Sequence, residues 1–238
     1  MVEVGTMSRN IHPFTAQSQL IEKLSQSISE QLQDAIDTHG KASLIVSGGS
    51  TPKPLFEKLR LSNIEWEKVS IGLCDERWVS PSDDDSNEKL VKTHLLQDRA
   101  SKAKFVGMFI DNVQAENAEL ECTKKIKETL FPFTVVILGM GGDAHTASLF
   151  PNNKKLKEAY DLENEELCIS IEPQTAPHMR MSLTRSAILS AKHLYLHFEG
   201  KKKLAVYNEA LNSKDMYQTP ISAILNQDIL DVEVYYYE

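Results

Sequence analysis

Apolar residues recur at helical spacing near the start of the chain. From Leu20 to Ile36 they are separated by three or four positions, behind Thr15 as a candidate N-cap and before Gly40 as a stop signal. This pattern predicts an amphipathic helix.

Short apolar runs follow, and each ends in a polar or glycine-rich segment that leads toward a helical pattern. Strands are predicted over ASLIVS, VSIGLC, FVGMFI and FTVVILGM, the last of them almost wholly apolar, as in a strand buried on both faces of a parallel sheet. Helices are predicted over TPKPLFEKL, near 87–97 with Asp85 and Glu88 as a capping box, and over 115–130.

The final third of the chain has more closely spaced strand candidates, at LCISIE, MRMSLT, HLYLHF and VEVYYY. Helices are expected after Thr184, after Gly200 and around Ile221. Alternation of strands and helices is typical of a doubly wound α/β fold. We therefore predict a single α/β domain over residues 1–238, with a mainly parallel sheet, helices on both of its faces and a more mixed C-terminal part.

The composition is that of a globular protein, with 41% hydrophobic and 25% charged residues. No apolar run approaches the roughly 20 residues of a membrane helix, and the start of the chain, MVEVGTMSRNIHPF, lacks a signal-peptide pattern. We expect a cytoplasmic monomer that does not act at a membrane. Three widely spaced cysteines argue against a disulfide framework or a thiolate metal site, so we interpret them as structural.

The net charge of −8 argues against nucleic acid as a partner. It also means that an anionic ligand needs a local concentration of Arg, Lys and backbone N–H groups. Three glycine-bearing loops lie at the ends of predicted strands, at 47–51, at 139–142, and at Gly200 before three lysines, of which at most one would face a ligand. Backbone N–H groups at helix N-termini favour phosphate.

Neither of the first two loops matches a nucleotide-binding motif. SGGSTP lacks the Gly-Lys-Ser/Thr of a P-loop, and GMGGDA is followed by polar residues where a dinucleotide fingerprint needs its third glycine. No G-x-S-x-G elbow is present, so a serine hydrolase of the α/β-hydrolase type is not supported.

The segment VVILGMGGDAHTASLFP places a histidine after the second loop. Histidine titrates nearest neutral pH, and His145 at the end of a buried strand is well placed to act as a general base, with Asp143 fixing its tautomer. The ordinary alternative is that Asp143 caps a following helix and that His145 lies on its first turn. The residues alone leave both interpretations open.

Other polar residues have plainer interpretations. His193 and His197 are four apart, as in helical zinc pairs, but HLYLHF is typical of a strand, which separates them by about 13 Å and favours structural positions. The acidic run 83–85 lacks the glycine and the distal glutamate of a calcium loop and is interpreted as solvated. Arg77 and Arg180 either reach into a cleft or lie on the surface, and their spacing does not decide between these positions.

Five segments make the chain resemble the 6-phosphogluconolactonases, cytosolic lactone hydrolases of the oxidative pentose phosphate pathway. They are SGGSTPKPLFEKL, DERWVSPSDDDSN, LGMGGDAHTASLFP, RMSLT and GKKKLAVY, which occur in the family's order from residue 47 to about 207. DERWV and HTASLFP are specific, whereas the glycine loops are shared with glucosamine-6-phosphate deaminases and ribose-5-phosphate isomerases.

The chain departs from this family's pattern in two places. Ala144 replaces the glycine usual in the family's Asp-Gly-His, a change that leaves the histidine in place unless residue 144 needs a positive φ. The C-terminal VEVYYYE lacks a tryptophan-and-aspartate ending found in many members.

The resemblance implies a role for each candidate residue. His145 would be the general base, oriented by Asp143, with Arg77 near the lactone or its developing charge. The phosphate would be bound by Gly48, Gly49, Ser50, Thr51, Arg180 and Lys203. Such a cationic site would offset the acidic average of the chain. The implied reaction is hydrolysis of 6-phospho-D-glucono-1,5-lactone to 6-phosphogluconate, the second step of that pathway, with no cofactor, metal or covalent intermediate.

Two other functions compete with this one. A sugar-phosphate isomerase or deaminase on the same fold would use the same loops, but DERW and HTASLFP favour the lactonase. A sugar-phosphate-sensing domain of a transcriptional regulator is disfavoured, because we expect no spare N-terminal segment for a DNA-binding motif and because sensing leaves Asp143 and His145 without a purpose.

Overall fold

Two sheets and the helices that connect their strands form the protein. The computed structural model describes residues 9–238. Our prediction that the segment MVEVGTMSRNIHPF is not a signal peptide therefore falls partly on residues 1–8, which lie outside the described range. The strands are β1 (Arg9–Phe14), β2 (Ala42–Val46), β3 (Val69–Leu73), β4 (Asp75–Arg77), β5 (Lys104–Phe105), β6 (Val135–Leu138), β7 (Cys168–Ile171), β8 (Arg180–Leu183), β9 (His193–Glu199) and β10 (Val232–Tyr237). The helices are α1 (Gln17–His39), α2 (Lys53–Leu59), α3 (Asn87–His94), α4 (Ala115–Thr129), α5 (Leu156–Ala159), α6 (Arg185–Leu189), α7 (Lys201–Asn212) and α8 (Ser222–Leu225), with 3₁₀ turns at Trp66–Lys68 and Asp98–Lys102.

The larger sheet is parallel and has seven strands in the order β1-β10-β9-β6-β2-β3-β5. Its central strands β2 and β6 are buried at every position. The chain leaves β2 toward β3 but leaves β6 toward β9, in opposite directions, so a crevice opens between the carboxyl ends of these two strands. Helix α2 packs against both α1 and α3, and the right-handed rule for parallel crossovers assigns these three helices to one face and α4 and α7, whose connections run the other way along the sheet, to the opposite face. The predicted doubly wound α/β fold is thereby confirmed.

The smaller sheet is antiparallel, with the strand order β4-β8-β7. Cys74 joins it to the parallel sheet, because its N–H donates to the Val46 carbonyl (2.9 Å) and its carbonyl accepts the Leu183 N–H (2.8 Å). The mixed character predicted for the C-terminal part takes the form of this separate sheet, since β9 and β10 join the parallel one. Buried residues of both sheets, such as Leu44 and Met181, belong to one hydrophobic cluster.

Two predicted helix caps are wrong. Residue Ala16, and not Thr15, is the N-cap of α1, and no side chain caps that end. At α3 the cap is Ser86 instead of Asp85, because the Ser86 hydroxyl accepts the N–H of Lys89 (3.2 Å). The C-terminal stop of α1 is as predicted, with Gly40 in the left-handed region at φ 74°.

The strand predicted over FVGMFI is much shorter than expected. The last ladder bond of this segment runs from the Val106 N–H to the Ile71 carbonyl (2.9 Å). A Cβ at Gly107 would lie 2.1 Å from Oε2 of Glu88, so the chain passes close to a side chain of α3 where it leaves the sheet edge. Strands β1 and β4 and helix α5 had no sequence prediction.

None of the helices within residues 9–238 combines the length and the apolar character that crossing a bilayer requires. All three cysteines are buried free thiols, in agreement with their structural interpretation.

A fully buried carboxylate, that of Glu76, joins β4 to the start of α3. Its Oε1 accepts the N–H groups of Arg77 and Asn87, both at 2.7 Å. Its Oε2 accepts the N–H of Glu88 (2.8 Å) and the hydroxyl of Ser86 (3.1 Å). Burial raises the pKa of Glu76, and the three backbone hydrogen bonds oppose that shift. The carboxylate therefore satisfies N–H groups of the first helical turn that have no partner within the helix.

We expect Glu76→Gln to lower the free energy of unfolding by about 2–4 kcal/mol, because one acceptor oxygen becomes an NH₂ group facing N–H donors. Urea denaturation at neutral pH, followed by tryptophan fluorescence, measures the loss. The matched control is Glu121→Gln on the exposed face of α4, which should stay within about 0.5 kcal/mol of the parent. Equal stability of the two variants would contradict the role of Glu76.

Candidate active site

A cavity of about 420 Å³ opens where the parallel sheet has its crevice, between the ends of β2 and β6. Its size is typical of a small-molecule site. Every residue predicted for the site lines this cavity except Asp143, which lies against His145. The sequence motifs, far apart along the chain, thus converge at one place.

The glycine loop 47–51 forms one wall. A Cβ at Gly48 would lie 1.8 Å from Oδ1 of Asn87, so only glycine fits there. The Ser47 hydroxyl donates to the Ile137 carbonyl (3.0 Å) and accepts the Gly139 N–H (3.1 Å), which ties this loop to the second glycine loop. Within residues 9–238 the N–H groups of the loop from Gly48 onward find no protein acceptor before α2 begins. These donors are available to an anion.

His145 and Asp143 form a direct pair. Nδ1 of His145 lies 2.5 Å from Oδ1 of Asp143, and the same oxygen accepts the backbone N–H of His145 (3.2 Å). A carboxylate only accepts, so Nδ1 carries the hydrogen and Nε2 is left as the base. Burial alone would raise the pKa of Asp143, but the hydrogen bond and charge of His145 bring it below its ordinary value.

The helix-capping alternative for Asp143 is wrong. After this residue the chain makes turns, and the next helix, α5, begins only at Leu156. The backbone geometry instead serves the histidine. A Cβ at Gly141 would lie 2.2 Å from Nδ1 of His145, so the ring occupies space that only glycine leaves free.

Ala144 adopts a left-handed conformation with φ 68°. Residue 144 therefore needs the positive φ that glycine provides freely, and alanine bears a cost of about 1–2 kcal/mol there. The conformation is held from both sides, since the Ala144 N–H donates to the Gly141 carbonyl (3.2 Å) and its carbonyl accepts the Ile221 N–H (2.9 Å). The pair of His145 with Asp143 is intact despite this strain.

Phe150, in the HTASLFP segment, packs between the histidine and an arginine. Its ring centroid lies 4.7 Å from that of His145 and 5.9 Å from Cζ of Arg180. Because Phe150 is buried, it fixes the distance between these two groups.

Arg77 and Arg180 are direct cross-strand partners in the antiparallel pair of β4 and β8. Arg77 donates to the backbone carbonyl of Asp85, and Nη2 of Arg180 donates to the Pro177 carbonyl (3.0 Å). Arg180 is 6% exposed, and its Nε is buried with no partner among the described residues. Burial, and next the positive charge of Arg77, lower the pKa of Arg180. Like charges opposite each other are unfavourable, so the pair is suited to an anion between them.

The third glycine-bearing loop contributes Lys203 from the first turn of α7. Gly200 precedes the helix with φ 89°. Lys201 and Lys202 are exposed, whereas Lys203 is half-buried and lines the cavity. Burial lowers the pKa of Lys203, and the charge of Glu199 raises it in part.

Among the polar side chains that line the cavity outside the glycine loops, those of Asp75, Asn87, Ser148 and His197 had no predicted role. Asp75 and Ser148 stand inside the motifs DERWV and HTASLFP, and they are joined by a hydrogen bond of 2.5 Å from the serine hydroxyl. Those motifs were a signal that could have revealed them. His197 was interpreted as structural, and only the sheet register brings it to the cavity. Within residues 9–238 no group of three or more His, Cys, Asp or Glu side chains is arranged to hold a metal ion.

Sequence and structure match the same family. Residues 15–233 match the model of the glucosamine-6-phosphate isomerases/6-phosphogluconolactonase. A 6-phosphogluconolactonase of Rhizobium meliloti (strain 1021) is 39% identical over 97% of this chain and 99% of that protein, and one of Pseudomonas putida is 39% identical over 93% and 91%. The crystal structure of a 6-phosphogluconolactonase from Shewanella baltica OS155 is similar with a TM-score of 0.94 and 44% identity, covering 98% of this chain and 100% of that one. The chain therefore belongs to the glucosamine-6-phosphate isomerase/6-phosphogluconolactonase family.

Proposed function

We propose that the protein hydrolyses 6-phospho-D-glucono-1,5-lactone to 6-phosphogluconate, the second step of the oxidative pentose phosphate pathway. The observation that carries this proposal is the placement of the pair of His145 with Asp143 in one cavity with Arg77, Arg180 and Lys203. The names of the relatives and of the solved structure support the same substrate.

The phosphate is bound by the 47–51 loop together with Arg180 and Lys203. Loop N–H groups, a guanidinium and an ammonium offer hydrogen bonds and positive charge to a dianion. The remote phosphate then holds the lactone ring in position, so its binding energy serves the reacting centre.

In the reaction, Nε2 of His145 takes a proton from water, and the hydroxide attacks the lactone carbonyl carbon. Arg77 or the loop N–H groups stabilise the oxyanion. The bond from this carbon to the ring oxygen then breaks, and the imidazolium gives its proton to the departing ring oxygen. The carboxylic acid product ionises, so one proton is released for each lactone hydrolysed.

Proton release after addition of freshly generated 6-phosphogluconolactone, corrected for spontaneous hydrolysis, tests the proposal. The parent chain should accelerate the release. Glucosamine 6-phosphate is the control, because a deaminase on this fold would liberate ammonia from it. Ammonia release without lactone hydrolysis would show that the protein is a deaminase and would refute the proposed lactonase activity.

His145→Ala should lower kcat by about 10²- to 10⁴-fold, the contribution of general base catalysis, while KM changes little. The same proton-release assay measures both constants. The matched control is His94→Ala, which removes another histidine that pairs with a carboxylate, that of Glu57 at 3.0 Å, outside the cavity. Unchanged turnover in His145→Ala would refute the general base.

Asp143→Asn tests the orienting carboxylate. Since the pKa of Asp143 is lowered, its charge and the stability of the pair are present above the ordinary carboxylate range and are lost as pH falls through the lowered value. At neutral pH the variant therefore loses a negative charge beside Nδ1. We expect kcat to fall by about 10- to 10³-fold, because the imidazolium formed in the reaction has lost the carboxylate that orients it and balances its charge. A kcat profile identical to that of the parent would contradict this role.

Arg180→Ala and Lys203→Ala should each raise KM by about 10- to 100-fold, the loss of a charge-assisted hydrogen bond. Their rates with glucono-1,5-lactone, which has no phosphate, should equal the parent rate. Lys202→Ala, one position from Lys203 but exposed, is the matched control and should keep the parent KM. The phosphate site would be refuted if the parent hydrolysed both lactones equally well.

A further inference from the structure

His197 is a buried histidine that lines the cavity and whose Nε2 is unpaired among the described residues. It lies on β9, is 2% exposed and lines the cavity. Its Nε2 makes no hydrogen bond within residues 9–238, and the nearby Oε1 of Glu199, at 3.3 Å, is not in hydrogen-bonding geometry. A buried polar atom left unpaired costs about 1–3 kcal/mol. A residue that lines the cavity thus keeps a ring nitrogen with an unused hydrogen-bonding position.

The sheet register places this ring beside both glycine loops. Leu138 on β6 pairs with Leu196, so one position further Gly139 lies next to His197. On the other side of β6, Val46 pairs with Ile137, which brings Gly48 into the same row. Neither glycine has a side chain that would fill the space beside the imidazole.

The surroundings of His197 are polar and charged. The Glu199 carboxylate, two positions later on the same strand face, accepts the side-chain amide of Gln17 (3.0 Å) and acts electrostatically on Lys203. Lys203 lines the same cavity. An imidazole next to a carboxylate, with an ammonium and glycine-loop N–H groups nearby, is suited to donate to an anionic oxygen.

We propose that His197 is a further phosphate-binding residue, which donates its Nε2–H to a phosphate oxygen of the substrate. The inference rests on the proposed function, because it assigns His197 to the phosphate end of that substrate and not to the reacting carbonyl.

Kinetics of His197→Ala and His197→Gln test this role. His197→Ala should raise KM for the phosphorylated lactone about tenfold, as expected for a hydrogen bond to a charged group, while the rate with glucono-1,5-lactone, which has no phosphate, falls much less. His197→Gln, which keeps a donor, should recover part of the loss. His193→Gln is the matched control, because His193 lies on the same strand and its Nε2 is likewise buried and unpaired within residues 9–238, but it does not line the cavity. An unchanged KM, or an equal loss with both lactones, would overturn the proposal.

Ring nitrogen NMR of the parent chain avoids any dependence on variant folding. With ¹⁵N in the histidine rings, addition of 6-phosphogluconate should shift the His197 resonances, whereas gluconate should not. Absence of that shift in a chain that hydrolyses the lactone would overturn the inference alone. A phosphate-dependent shift in a chain without lactonase activity would support the phosphate contact and refute the proposed function.

Discussion

The carboxylate of Glu76 has no exposed surface and accepts hydrogen bonds from Arg77, Ser86, Asn87 and Glu88. An ionised group in this position is tolerable only because donors surround it. These donors come from β4 on one side and from the first turn of α3 on the other, so the carboxylate sets the position of each relative to the other. Asn87 then lies against Gly48 and donates to the Asp75 carbonyl (2.9 Å). The shape of the 47–51 loop and the backbone position of Arg77 thus depend on one buried anion.

The same arrangement explains how an acidic chain can bind an anion. The chain carries a net charge of −8, yet two arginines face each other across β4 and β8 and a lysine approaches from α7. The negative charges of Asp75, Glu76 and Asp85 oppose the lowering of the Arg180 pKa and offset part of the repulsion from Arg77. A ligand phosphate would offset more of it. The cationic groups are therefore assembled before the ligand arrives, and binding need not reorganise them.

The sequence predicted those parts of the fold whose signals are local. Buried strands such as VVIL and glycine loops after them are continuous segments, and they place Ser50 or His145 at the carboxyl edge of the sheet without knowledge of the topology. The pairing of Arg77 with Arg180 and the neighbourhood of Gly139 and His197 depend on strand order and register, which no local pattern specifies. Strand β4 was not predicted for the same reason. Its three polar residues form a strand only because β8 pairs with them. The cap of α3 was misassigned because adjacent Asp85 and Ser86 are both good caps, and the hydrogen bond of Ser86 to Glu76 selects the serine.

The two halves of the site consequently have different origins. The histidine half is local: Gly141 leaves room for the ring, the positive φ of Ala144 turns the chain, and Asp143 reaches Nδ1 from two residues away. From outside this segment it needs Ile221, whose N–H donates to the Ala144 carbonyl, while Phe150 within the segment fixes the distance of the histidine from Arg180. The half for which we propose phosphate binding is assembled from three loops and two sheets, so any change in their packing alters it. A strained alanine is tolerated in the first half because backbone hydrogen bonds to Gly141 and Ile221 hold it on both sides. In the second half, the position of each side chain follows from burial and strand register. The local sequence around His197 therefore does not predict that this residue lines the cavity.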